Sequence, residues 1–140
     1  MSPFFPALSH SEAETRGLAR AWAATLGPGS VVRLVGDLGA GKTTFVQGMA
    51  EGLGCQAQPT SPTFSLMHEY PGSRMVLFHW DLYRLSLTTD WSQLDLPDQL
   101  PGPGITVVEW PDRYPGHWPP GTRTLHLRTR EDGLRDLVLE

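Results

Sequence analysis

One cysteine, one lysine and no asparagine occur among the 140 residues of this chain. A lone Cys55 excludes an internal disulfide framework and any cysteine-based metal cluster, and it reads as a small, partly buried residue, not a nucleophile. The formal net charge of −4 argues against a domain that grips nucleic acid through a basic face. No apolar run approaches the ~20 residues of a membrane span. The N-terminal stretch lacks the basic and apolar regions of a secretory signal. The expectation is a soluble, cytoplasmic protein with no membrane contact, folded as a single domain over residues 1–140. There is no repeat, low-complexity tract or linker. The five histidines, His10, His68, His79, His117 and His126, show no ligand spacing such as H-x-x-x-H.

What is present concentrates around that single lysine. Val31 to Val35 is a short β-branched and apolar run, as in a buried strand. It leads into Gly36-Asp37-Leu38-Gly39-Ala40-Gly41-Lys42-Thr43, which matches the P-loop pattern G-x-x-x-x-G-K-[ST] at every fixed position. Phe45, Val46, Met49, Ala50 and Leu53 then recur at helical spacing. Glycines let backbone N–H groups turn inward and approach a polyphosphate without a Cβ clash. A helix starting near Lys42 adds unpaired N–H groups and the positive end of its dipole. Lys42 supplies a mobile charge for the terminal phosphates, and Thr43 a hydroxyl ligand for Mg²⁺. Ten arginines carry the other positive charges, so a chain that otherwise uses arginine places lysine here.

Around this centre the chain reads as α/β. Residues 4–8 suit a short edge strand limited by Pro3 and Pro6. Ser9 or Ser11 caps a helix whose stripe is Leu18, Ala19, Trp22, Ala23 and Leu26, ended by Gly27-Pro28-Gly29. Two alternating runs, Phe64 to Tyr70 and Met75 to Trp80, predict a hairpin around Pro71-Gly72-Ser73. Residues 86–104 are turn-rich, with a weak helical possibility over 90–96. Ile105 to Val108 lacks alternation and suits a central strand, and residues 114–121 form a proline-rich loop. A final hairpin, 122–130 with 134–139, turns about Asp132-Gly133.

A P-loop enzyme also needs a carboxylate at a strand end near the Thr43 position. Asp81 and Glu109 both qualify. The central character of Ile105 to Val108 favours Glu109 as the metal-side acid, which leaves Asp81 to position water or a switch loop. Thr60-Ser61-Pro62-Thr63 suits such a loop, with a hydroxyl sensing the γ-phosphate, or is an ordinary turn. With one lysine and no asparagine, no N-K-x-D or T-K-x-D guanine element exists, and no D-x-x-G occurs either. The mostly hairpin C-terminal region leaves little room for a kinase acceptor pocket and lid. A small ATPase and a nucleotide-binding regulator remain.

Four segments together resemble the bacterial TsaE (formerly YjeE) family: Gly36 to Thr44, Ser61 to Phe64, His79 to Leu85 and Glu109 to Arg113. They stand in family order, and the resemblance covers nearly the whole chain. The resemblance implies a compact P-loop fold with a mixed central sheet, helices near the N-terminal half and β-hairpins in the C-terminal half. It implies ATP and Mg²⁺, and partners in a TsaB–TsaD pair that performs threonylcarbamoyl transfer to tRNA, which this chain meets only through the complex. By motif, Gly36, Asp37, Leu38, Gly39, Ala40, Gly41, Lys42, Thr43 and Thr44 hold phosphates, and Thr43 and Glu109 bind magnesium. Thr63 lies in the switch-like loop, Asp81 and Trp110 matter for hydrolysis or partner response, and Ser9 and His10 approach the adenine. A clearer acidic helix is expected over residues 86–100 than the turn-like Leu85 to Trp91 provides. Two functions stay open: an ATPase of tRNA modification, and a nucleotide-gated module whose hydrolysis is incidental.

Overall fold

A computed structural model describes residues 2–37, 39–56, 66–83, 85, 96 and 99–140. The Thr60–Thr63 loop, Leu38 and most of the expected 90–96 helix lie outside the described residues. Among those described, seven strands and two α-helices follow the order β1 (Ala7–Ser9), α1 (Glu12–Ala23), β2 (Val31–Val35), α2 (Lys42–Gly52), β3 (Met67–Tyr70), β4 (Leu77–Asp81), β5 (Ile105–Glu109), β6 (Arg123–Thr129) and β7 (Arg135–Leu139). The sheet order is β1-β7-β6-β2-β5-β4-β3. β2 is central, parallel to both β5 and β6. β4 is parallel to β5, whereas the hairpins β3–β4 and β6–β7 and the edge pair β1–β7 are antiparallel. This is the mixed α/β sheet expected. The first edge strand sits slightly later than residues 4–8, because Phe5 instead enters the core, edge-on to Trp22 at 5.4 Å between ring centroids.

Alternation along the strands sorts the side chains into two clusters. Val32, Leu34, Ile105, Val107, Leu125 and Leu137 pack beneath the helices with Trp22, Phe45 and Met49. Trp80, Leu82, Val108 and Tyr114 form a second cluster from residues of opposite parity in β4 and β5. Glu109 shares the parity of Ile105 and Val107, so the strand pleat carries it to the helix side. Ser11 caps α1 by accepting from the Glu14 N–H at 3.1 Å, and Glu14 accepts in return from the His10 N–H at 2.7 Å.

The two helices touch through glycine. A Cβ on Gly48 would lie 2.3 Å from the Arg16 carbonyl oxygen and 2.8 Å from the Ala19 Cβ. One on Gly52 would lie 2.4 Å from the Arg20 carbonyl oxygen. Gly48 and Gly52 stand one turn apart, so the close approach of the two backbones depends on absent side chains there. Gly48→Ala is expected to destabilise the protein by about 1–3 kcal/mol, the usual cost of overpacking, despite alanine's better helix propensity. A denaturation midpoint equal to or above that of the unaltered chain would contradict this packing.

Candidate nucleotide site

β2, β4 and β5 run parallel and end together. In register Asp81 faces Glu109, and Glu109 faces Leu34, two residues before Gly36. Ligand crevices in α/β sheets open at such carboxyl ends. The glycine loop bridges β2 to α2 there. Gly39 (φ 80°) and Gly41 (φ 98°) adopt the left-handed conformation, which other residues reach only at a cost. Gly36 is required for a different reason: a Cβ would meet the Leu127 carbonyl oxygen of β6 at 2.8 Å. The first helical bond of α2 runs from Phe45 N–H to Gly41 C=O, so the N–H groups before it have no partner within the helix.

Lys42 opens this helix and is buried, yet its Nζ has no hydrogen-bond partner. It lies 3.8 Å from the centroid of the Trp110 ring, a cation–π contact. Burial pulls the ammonium's pKa below its usual value, while Glu109, Asp81 and Asp37, in falling order, oppose that pull. Burial likewise pushes the Asp81 carboxyl above its ordinary range, against the Tyr83 N–H that donates to it at 3.0 Å. The three acids and the lysine therefore act on one another across one small volume. A buried cation that lacks a hydrogen-bonding partner is costly, and an anion brought to it removes that cost.

Glu109 is 3% exposed and accepts from His79 Nε2 at 2.5 Å. No histidine spacing flagged His79; only the β4–β5 register, with His79 across from Val107, brings it alongside Glu109. A carboxylate has more acceptor capacity than one donor uses, so Glu109 keeps room for a metal oxygen-ligand role. Among the described residues no three His, Cys, Asp or Glu converge as a metal cage. Mg²⁺ bound with phosphates needs only one or two protein oxygens, a number Thr43 and Glu109 can supply.

Trp110 is left-handed (φ 56°, ψ 48°) and sits between Lys42 and Tyr83, whose ring centroid lies 4.9 Å away. Ser9 and His10 belong to the α1 entry: Ser9 Oγ is buried against Thr15 Oγ1 at 2.7 Å, and the exposed His10 ring bonds Glu14 at 3.0 Å. The described contacts of both are internal, and neither touches the lysine–acid group. Thr43 and Thr44 occupy the first turn of α2, half-buried.

Comparison with known proteins agrees with this fold. The family model described as threonylcarbamoyl adenosine biosynthesis protein TsaE matches residues 9–137. The tRNA threonylcarbamoyladenosine biosynthesis protein TsaE of Treponema pallidum is 44% identical over 111 residues, 79% of this chain and 82% of that protein. The Rickettsia bellii protein of the same name is 35% identical over 127 residues, 90% of this chain and 88% of its own length. In the Bacillus subtilis relative, 44% identical, the match spans 60% of the protein. The crystal structure of Bacillus subtilis YdiB superposes with a TM-score of 0.77 at 34% identity, covering 94% of this chain and 80% of that one.

Proposed function

We propose, from the premise that this chain belongs to the TsaE family of threonylcarbamoyl adenosine biosynthesis proteins, that it binds ATP with Mg²⁺ and hydrolyses it slowly. The hydrolysis supports threonylcarbamoyl transfer to tRNA adenosine by a TsaB–TsaD pair in the cytoplasm. Among the described residues no helix is long and apolar enough to cross a membrane. The observation that carries the reading is Lys42: buried at the start of α2, without a hydrogen-bonding partner, where the first N–H groups of the helix have no partner within it. Lys42 and the loop hold the phosphates, Thr43 and Glu109 offer oxygens to Mg²⁺, and His79 orients the Glu109 carboxylate. The metal, when bound, offsets charge on the phosphates. Asp81 stands one strand away to position water. Thr63 and Leu38, outside the described residues, complete the assignment by motif, and Ser9 with His10 is the proposed approach to adenine.

Trp110 over Lys42 favours a second reading, a nucleotide-gated module whose surface changes when the ring leaves the ammonium. Phosphate release that never exceeds background, alone or with partners, would favour it over the ATPase.

The test is ATP titration with Mg²⁺ and with a chelator. Glu109→Gln is expected to erase at least about tenfold of the Mg²⁺-dependent gain in affinity, and Asp81→Asn less, since only Glu109 is a metal-side group. Equal Mg²⁺ dependence in the two variants would overturn the assignment of roles.

A further inference from the structure

The glycine loop is held from behind by a residue almost a hundred positions further along the chain. Arg135, the first residue of β7, donates from Nε to the Ala40 carbonyl at 3.1 Å and from Nη2 to the Gly39 carbonyl at 3.4 Å. Its Nη1 donates to the carbonyl of Gly133, in the turn of its own hairpin, at 3.0 Å. We infer that Arg135 is a positioning residue for the nucleotide site, setting the phosphate-binding loop through its outward carbonyls. The inference rests on the nucleotide reading above and adds a part of the site that the P-loop motif does not contain.

Three considerations carry it. First, Gly39 and Gly41 are both left-handed with Ala40 between them. Alternating handedness turns successive N–H groups to one side of the chain and the carbonyls to the other. Glycine reaches that conformation cheaply but also leaves it cheaply, so the loop needs an outside constraint. Arg135 holds two consecutive carbonyls on one side, which fixes the N–H groups on the other.

Second, the Ala40 carbonyl belongs to the same peptide unit as the Gly41 N–H. That N–H stands at the cap of α2 and has no intrahelical partner. A cation on the carbonyl polarises the unit and strengthens the donor, as hydrogen bonds in a chain polarise one another. The Ala40 N–H, by contrast, is already used within the loop, donating to the Asp37 carbonyl at 3.0 Å.

Third, the guanidinium is itself well placed. Its backbone is paired on both sides, with Ser9 of β1 and with Thr129 of β6. A Cβ on Gly41 would lie 3.6 Å from Arg135 Nε, so the fork seats in contact with the loop. Two neighbouring carbonyls bonded by one side chain call for a fork, which lysine lacks.

ATP titration and hydrogen exchange of the full chain test the inference, with unfolding followed in the absence of nucleotide. Arg135→Ala is expected to bind ATP roughly tenfold more weakly, the scale of a lost hydrogen bond to a charged group. Arg135→Lys should recover part of that, and should fold if the alanine variant does not. Arg130→Ala, which removes a pairing with Asp132 on the same hairpin, should bind ATP as the unaltered chain does. Amides of residues 39–41 should exchange faster in Arg135→Ala without nucleotide. Unchanged ATP affinity in Arg135→Ala, or equal losses in Arg135→Ala and Arg130→Ala, would overturn the positioning role. If the unaltered chain failed to bind ATP, the nucleotide reading would fall instead, and the exchange of the loop amides would still decide whether Arg135 holds the loop.

Discussion

Mixed with a TsaB–TsaD pair, this chain is expected to release phosphate on the order of 10³-fold faster than it does alone. The reason is a missing positive charge. Phosphoryl-transfer sites that lack an arginine at the γ-phosphate are slow, and an arginine supplied from outside raises the rate by ~10³ or more. Among the described residues, three arginines near the loop are engaged elsewhere. Arg33 bonds Thr124 and Asp112, Arg113 donates to the Leu85 carbonyl, and Arg135 is occupied by the loop's own carbonyls. Lys42 is one cation set against Asp37, Asp81 and Glu109. The partners would provide the missing charge or order the Thr60–Thr63 loop. Phosphate release is to be measured for the chain, for the pair and for the mixture. A mixture that released phosphate at the sum of the separate rates would show that the partners do not activate it.

The second large effect belongs to Lys42→Ala, which should weaken ATP binding on the order of 10²-fold, about 3 kcal/mol, while the fold persists. Ordinary buried substitutions destabilise, but this one removes a desolvated cation whose Nζ has no hydrogen-bond partner. Its compensation is the attraction of Glu109, Asp81 and Asp37 and the Trp110 ring contact of about 0.5–2 kcal/mol, both lost with it. The two changes oppose each other, so the melting temperature without nucleotide should stay level or rise. With saturating ATP the order should reverse, because the unaltered chain gains more stability from the ligand it binds more tightly. Near-normal ATP affinity by calorimetry would remove Lys42 from the site. Collapse of the fold without nucleotide would make it a core residue instead.

Short-range pattern explains how much of this was legible. The glycine loop is written within nine consecutive residues; β2 announces itself by a short β-branched, apolar run before it, and α2 by apolar residues at helical spacing after it. The hairpins β3–β4 and β6–β7 were marked by turn residues, with β3 and β4 found at Met67–Tyr70 and Leu77–Asp81, close to the runs expected. Glu109 was singled out because Ile105 to Val108 reads as a strand buried on both faces, and all five residues of β5 are buried.

Other features depend on pairs that no local spacing encodes. Gly48 and Gly52 read as weak points in a helix until α1 is laid against them, when they become the only residues small enough for the contact. His79 and Glu109 meet through the β4–β5 register across 30 positions, and a slip of one residue would turn either to the other face. Trp110 reaches Lys42 because its backbone turns left-handed after β5, a conformation that nothing in its composition requires. Arg135 joins the loop only because β7 lies two strands from β2 and its first residue ends up behind Ala40. A phosphate loop is a local solution to a local problem, so its residues are adjacent in the chain. Neutralising, orienting and bracing that loop are surface-matching problems between distant segments, and the folded sheet alone brings those segments together.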